Sequence, residues 1–171
     1  MDRTTLSVYL NDHWAGSTAG VKLAERLRAD HVGTAHEGWF TTLAADIAED
    51  RTALRTVMAR LGIEQKKVRS VVGWVSEEAS RVRLHPRVTG SATLSTMLGA
   101  EALVLGIQGK RGLWAALQAV ASDELPDVDL PHLVERAEAQ AAGLEALRLR
   151  PRSSAAAVSM GERPPAGAGR R

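Results

Sequence analysis

One polar residue interrupts the apolar stripe in each of four successive predicted helices: His13, Asp50, Glu78 and Glu101. A carboxylate in an apolar interior must be paired with a cation, protonated or bound to a metal ion, because burial of an isolated charge is costly. Three carboxylates and an imidazole are ligands suited to iron, manganese or zinc. The sequence therefore raises two interpretations, a metal site inside a helical bundle and a buried network of ion pairs.

The ion-pair interpretation needs cations near the acids, and the sequence offers several. The candidates are Arg51, Arg55 and Lys110 for Asp50, and Lys110 and Arg111 for Glu101. A hydrogen bond from His13 to Asp50 would complete the network. Such a network fixes the register of the helices without any ligand.

Five amphipathic segments must position these residues. Their apolar residues recur at alternating steps of three and four, which is the period of a helix with one buried face. The predicted helices are 5–30, 38–61, 64–84, 93–122 and 131–149. Because short connections make successive helices antiparallel neighbours, we predict an all-α, antiparallel up-down-up-down four-helix bundle over residues 1–150. The last segment is a fifth helix, expected across or beside the bundle.

The fourth predicted helix carries a stripe that we expect to face the core. It consists of Leu94, Leu98, Glu101, Leu105, Gln108, Gly112, Ala115 and Ala119. Glycines recur on two of the helices, at positions 16 and 20 and at positions 99, 106, 109 and 112. Glycine weakens a helix unless packing compensates, so these positions indicate close approach by another helix, including a homodimer partner.

Four tryptophans fall one to each of the first four predicted helices: Trp14, Trp39, Trp74 and Trp114. In a chain with one Phe and one Tyr, we expect them to serve as large apolar anchors of the core. The remaining composition, rich in Ala, Leu, Glu and Arg, favours helix over strand.

Composition excludes several classes of protein. The chain has no cysteine, so disulfides, thiolate chemistry and cysteine-based metal sites are absent. No apolar run reaches the roughly 18 residues that a membrane span requires. The N-terminus lacks the apolar core of a secretory signal, so we expect a cytoplasmic protein without membrane association.

The basic charge is concentrated at the C-terminus. From Arg148 onward there are six Arg and one Glu, or +5, which leaves 16 basic and 19 acidic side chains, or −3, for the rest. Residues 151–171 lack apolar periodicity, and we predict a disordered basic tail. Only this tail suggests contact with nucleic acid, and that contact would be weak. The basic patch near residues 65–69 is too small for a DNA-binding helix.

Three phrases, YLNDHWAG, DIAEDR and GKRGLWAAL, together with the helix order, resemble ferritin-like bundles and more closely an uncharacterised bacterial group of that superfamily. The resemblance covers residues 6–148 and implies a bundle with inward acids. Ferritin-like metal proteins use two Glu-x-x-His pairs. Here Glu49 is followed three positions later by Thr52, and Glu101 by Val104. A metal site would therefore be reduced to about one ion, and ferroxidase or oxygenase activity does not carry over.

These observations predict a non-catalytic structural or binding module with a buried polar network. The alternative is a metal-binding protein, holding iron, manganese or zinc on His13, Asp50, Glu78 and Glu101. The sequence contains no nucleophile elbow and no phosphate-binding loop, and it leaves enzymatic activity open.

Overall fold

The computed structural model describes residues 2–66 and 92–148, and all regular secondary structure within these ranges is helical. The helices are α1 (Arg3–Asp30), α2 (Glu37–Arg60), α3 (Ala92–Ala121) and α4 (Leu130–Arg148), with a 3-10 turn at Ser122–Glu124. The all-α class is therefore confirmed. Most of the predicted helix 64–84 and the predicted tail 151–171 lie outside the described residues. Residues 63–66 are not helical.

Local capping explains where the helices begin and end. The Asp2 side chain accepts hydrogen bonds from the backbone N–H groups of Thr4 and Thr5, each at 3.0 Å, so α1 begins two residues earlier than predicted. Gly62 adopts a φ of 62° just after α2, a left-handed conformation that favours glycine. Asp129 caps α4, because its side chain accepts from the His132 N–H at 3.0 Å.

Contacts between helix ends set the directions of the helices. The Arg3 guanidinium, at the start of α1, donates to the Leu61 carbonyl at the end of α2, at 2.6 Å. At the other end of this pair, the His31 ring stacks on Phe40 with ring centroids 3.8 Å apart. Helices α1 and α2 therefore run in opposite directions. Helices α3 and α4 do the same, since Arg148 at the end of α4 meets Glu101 near the start of α3.

The core consists of two hydrophobic clusters, and each draws residues from all four described helices. One cluster lies at the α1 N-terminal end and includes Leu10, Leu54, Trp114 and Leu133. The other includes Leu27, Ile47, Ile107 and Leu144. The segment predicted as a fifth helix is α4, and it contributes to both clusters together with the other three described helices. No described helix has both the length and the apolar character needed to cross a membrane.

The prediction of which stripe of α3 faces the core is wrong. Leu105 is 64% exposed, and the later members of that stripe are exposed as well. A second stripe with the same spacing faces the core instead: Ala100, Leu103, Ile107, Lys110, Trp114, Leu117 and Ala121. This stripe contains more bulky apolar side chains, so its burial removes more apolar surface from water.

The tryptophan prediction is confirmed for the three that the structure describes. Trp114 is 1% exposed and lies in the first cluster. Trp14 and Trp39 are partly buried and pack against the two clusters. Trp14 also lies under the Arg51 guanidinium, whose carbon is 4.0 Å from the ring centroid. Trp74 lies outside the described residues.

The glycine prediction finds no support at the positions named. A Cβ atom at Gly99 would lie 3.4 Å from Leu23 and 3.5 Å from Leu27, which is ordinary van der Waals contact, so this position touches α1 but has room for a Cβ. At the other positions, 16, 20, 106, 109 and 112, no described atom comes within 4 Å of a Cβ. Within the described part of the chain, these glycines are therefore not explained by helix contact.

Gly143 is the tightest glycine position in the described part of the chain. A Cβ there would lie 2.6 Å from Cζ2 of the Trp39 ring. We expect Gly143→Ala to lower the free energy of unfolding by about 1–2 kcal/mol, because overpacking outweighs the gain in helix propensity. Gly109→Ala is the matched control and should raise it by about 0.5–1 kcal/mol. Urea unfolding of both variants checks the prediction, and a stabilised Gly143→Ala would contradict it.

Candidate functional site

A charged cluster joins α2, α3 and α4 in the interior. Asp50 of α2 is 2% exposed, and its two carboxylate oxygens accept hydrogen bonds from different cations. Oδ2 accepts from Lys110 of α3, and Oδ1 accepts from Arg136 of α4. Lys110 also donates to the side-chain carbonyl of Gln140 on α4, at 2.6 Å.

The apolar periodicity of the helices positions this cluster. The period of α2 predicts a buried stripe of seven residues, and all seven are buried: Phe40, Leu43, Ile47, Asp50, Leu54, Val57 and Leu61. Lys110 occupies the equivalent place in the core-facing stripe of α3. Arg136 and Gln140 lie one turn apart on the same face of α4, so both side chains can reach the cluster. The predicted inward direction of Asp50 is therefore confirmed, and so is its pairing with Lys110.

The cluster holds two cations around one buried carboxylate. The side chains of Lys110 and Arg136 are 16% and 18% exposed. Burial lowers the pKa of Lys110 below its usual value, although Asp50 opposes that shift. Burial would also lower the pKa of Arg136, but Asp50 and Glu49 together raise it above the usual range. Glu49 accepts from Arg136 at 3.0 Å from the exposed side of α2.

This arrangement restricts what Asp50 can do chemically. Both of its oxygens already accept charge-assisted hydrogen bonds, which are the stronger kind. A metal ion bound to this carboxylate would lie beside two positive charges, which oppose its binding. The geometry is therefore that of a structural ion-pair network.

His13 does not join this network. Its ring lies edge-on to the Tyr9 ring, with centroids 4.7 Å apart and planes at 76°. No hydrogen bond joins His13 and Asp50 in the described structure, so that predicted contact is wrong. Burial lowers the pKa of His13 below its usual 6.5, and nearby Asp12 partly opposes the shift.

This environment predicts a pH dependence of stability. The unfolded chain takes up a proton on His13 near pH 6.5, whereas the folded chain resists it until a lower pH. The unfolded state therefore binds more protons in this window, and stability falls as pH decreases from about 7 to 5. We expect His13→Asn to remove a slope of at most about 1.4 kcal/mol per pH unit. Unfolding measured across this range, with the exposed His132→Asn as control, checks it; equal slopes would contradict it.

Glu101 lies at the surface, so its predicted inward direction is wrong. Its side chain is 45% exposed and accepts from Arg148 at 3.1 Å. The predicted partners do not contact it, since Lys110 pairs with Asp50 and Arg111 pairs with Glu138 at 2.9 Å. The reason is that the stripe of α3 that contains Lys110 faces the core, and the predicted stripe, which contains Glu101, faces outward.

The predicted metal ligands do not converge within the described part of the chain. His13, Asp50 and Glu101 have separate partners, and Glu78 lies outside the described residues. Across residues 2–66 and 92–148, no three His, Asp or Glu side chains are grouped so that they could hold a metal ion. The four-residue metal site as a whole stays a prediction, because Glu78 lies outside the described residues.

Three important polar residues were missed from the sequence. Two are Arg136 and Gln140, and Gln140 shares the inward stripe of α4 with Leu133, Ala137 and Leu144. The third is Asn11, which is 4% exposed. Its amide donates to the Glu64 carbonyl at 3.2 Å and accepts from the Lys66 N–H at 2.7 Å. Asn11 thus holds residues 64–66 against α1, where the sequence predicted the start of a helix.

Comparisons of the chain with protein-family models, with curated proteins and with solved structures find no match.

Proposed function

We propose that this protein is a non-catalytic structural or binding module. In this proposal, an antiparallel up-down-up-down, ferritin-like bundle uses its interior charges to hold the helices in register. The observation that carries the proposal is the pairing of both Asp50 oxygens with cations from two other helices. A carboxylate engaged in this way is not available as a general base or as a metal ligand.

The position of the charged cluster supports a role in setting the register of the helices. It lies between helices that are distant in sequence, so α2, α3 and α4 must all be correctly aligned for the three charges to meet. A shift of α4 by one residue would turn Arg136 by about 100° around the helix axis and separate it from Asp50. A misaligned bundle would then bury unpaired charges, which is strongly unfavourable.

A variant that removes all three charges together tests this proposal. In Asp50→Leu/Lys110→Met/Arg136→Met, no charge of the buried cluster is left without a partner, and Glu49, which loses Arg136, is 69% exposed. We therefore expect a free energy of unfolding equal to or up to about 4 kcal/mol above that of the parent. If the charges fix the register, this variant should also lose uniqueness of packing, seen as fewer dispersed amide signals in NMR spectra. A triple variant that is less stable than the parent and packs uniquely would contradict the proposal.

Metal analysis separates this proposal from the metal-binding alternative. Protein purified without a histidine tag should contain no stoichiometric iron, manganese or zinc. Stoichiometric metal in the parent that is lost in Asp50→Ala would instead support the alternative. Glu138→Ala, which removes an acid from an exposed ion pair, is the control for nonspecific loss of metal.

A further inference from the structure

The side of the bundle where α1 meets α3 carries few charges. The two helices touch at Gly99, where a Cβ would contact Leu23 and Leu27 of α1. Over residues 4–21 of α1, Asp12 is the only Asp, Glu, Lys or Arg, and over residues 92–109 of α3, Glu101 is the only one. We call the surface between these stretches the α1–α3 groove. Its apolar residues, all partly or fully exposed, are Val8, Ala15, Ala19 and Leu23 on α1 and Leu98 and Ala102 on α3.

The other edges of the bundle are crossed by charged side chains. The Arg51 guanidinium of α2 donates to Thr18 of α1 at 3.3 Å. Arg136 of α4 pairs with Glu49 of α2 at 3.0 Å, and the surface ion pairs described above join α3 to α4. An apolar segment laid over these edges would bury charges, which is costly. The α1–α3 groove is therefore the edge suited to an apolar partner.

The described chain stops at one end of this groove. The Asn11 amide holds the backbone of Glu64 and Lys66 against α1. Lys66 lines the same surface recess as Val8, which is 54% exposed. Residue 67 therefore continues the chain from the N-terminal part of α1.

The described chain resumes beyond the opposite end of the groove. Helix α3 runs antiparallel to α1, because Gly99 contacts Leu23 near the end of α1 whereas Trp114 shares a cluster with Leu10 near its start. Helix α3 begins at Ala92, seven residues before Gly99. Ala92 therefore lies about 10 Å further toward the C-terminal end of α1 than that contact.

Residues 67–91 have the length to join these two ends along the groove. From Asn11 to the level of Ala92 the chain must advance by about 30 Å, counted from the helical rise of α1 and α3. At the same rise, these 25 residues span about 37 Å, which leaves a few residues for a turn at each end.

The sequence of this segment carries an apolar row that needs a partner. Residues at steps of three and four are apolar, which is the period of a helix with one buried face. They are Val68, Val72, Val75, Ala79 and Val82. Ser70 and Glu77, which fall on the opposite side of this period, are polar. An element with one apolar face must bury it against another element.

We propose that residues 67–91 occupy the α1–α3 groove of their own chain, with the row from Val68 to Val82 against it. Because the segment is tethered at both ends of the groove, its effective concentration there is on the order of millimolar, so a second copy is at a disadvantage. The segment thereby links the α2 end of the bundle to the start of α3. The inference goes beyond the role proposed for the Asp50 cluster and does not depend on it.

Thiol accessibility in the full chain tests this proposal, because the natural chain has no cysteine. Ala19→Cys lies in the groove and Ala53→Cys lies on α2, and both positions are partly exposed in the described structure. We expect Ala19→Cys to react with N-ethylmaleimide about 10-fold or more slowly than Ala53→Cys, since it reacts only when the segment leaves the groove. Equal rates would overturn the proposal. Protection that disappears on dilution would assign the groove to a second copy and would also overturn it.

A charge placed in the apolar row of the segment gives the second test. Val75→Asp should speed the reaction of Ala19→Cys by about 10-fold, because a buried carboxylate disfavours the docked state. Ser70→Asp adds the same charge on the opposite side of the row and should leave the rate unchanged. Ala44→Cys, at a position that is 2% exposed, should stay unreactive in Val75→Asp, which shows that the core remains folded. Should the core unfold, the milder Val75→Ser gives the same comparison. An unchanged rate at Ala19→Cys in the folded variant would contradict the proposal.

Discussion

Asp50→Ala should lower the free energy of unfolding by about 3–5 kcal/mol. Among the described residues, the substitution leaves Lys110 without an ion-pair partner and leaves Arg136 paired with the exposed Glu49, while nearby Asp46 still attracts both cations. Removal of one partner from a buried ion pair is costly because the remaining charge stays desolvated. Since a typical domain is stable by about 5–15 kcal/mol, this loss should be visible as a large decrease in the urea midpoint.

A matched control distinguishes the effect of removing a buried charge from the effect of removing an exposed one. Glu138→Ala removes the acid from the Arg111–Glu138 pair, in which both side chains are about half exposed. Exposed pairs contribute about 0–1 kcal/mol, so this variant should unfold almost as the parent does. The double variant Asp50→Ala/Lys110→Met should recover part of the loss, because it removes one unpaired cation. Equal small effects of Asp50→Ala and Glu138→Ala would contradict the structural role of the cluster.

Trp114→Ala should cause a loss of similar size, about 3–5 kcal/mol. The side chain is 1% exposed and lies in the first cluster with Leu10 and Leu133. Its removal leaves a large cavity that neighbouring side chains fill only in part. Circular dichroism at 222 nm during urea unfolding measures the loss without depending on tryptophan fluorescence.

Two variants make this result specific to the core-facing stripe of α3. Trp114→Phe should be much milder than Trp114→Ala, because it keeps a ring, and the indole N–H has no hydrogen-bond partner in the described structure. Leu105→Ala, at an exposed position of α3, should change the free energy of unfolding by less than about 0.5 kcal/mol. A larger effect of Leu105→Ala than of Trp114→Ala would mean that the stripe containing Leu105 faces the core and the stripe containing Trp114 does not.

Helix α2 and helix α3 differ in how well their sequences specify the buried face. In α2 one stripe is clearly more apolar than any other, and all its predicted members are buried, including Asp50. In α3 two stripes have the same three-and-four spacing, and few charges separate them. The size of Trp114 and Ile107 favoured the correct stripe, but periodicity alone does not weigh side-chain volume.

The polar contacts were harder to predict than the helices. The pairing of Asp50 with Lys110 was among the alternatives, whereas Arg136 lies 86 positions away in the sequence. Its pairing depends on the position of α4 around the core, and no local pattern specifies that position. Glu101 was misplaced for the same reason, because its direction follows from which stripe of α3 faces α1 and α4.

The sequence by itself determined the helical class, most helix boundaries and the buried face of α2, because propensity, caps and periodicity are local properties of the chain. The tertiary structure alone decided which side of α3 is buried, that α4 lines the core and that two cations surround Asp50. These features arise from contacts between residues distant in sequence, where total buried area and charge pairing select one arrangement among several with equivalent local patterns.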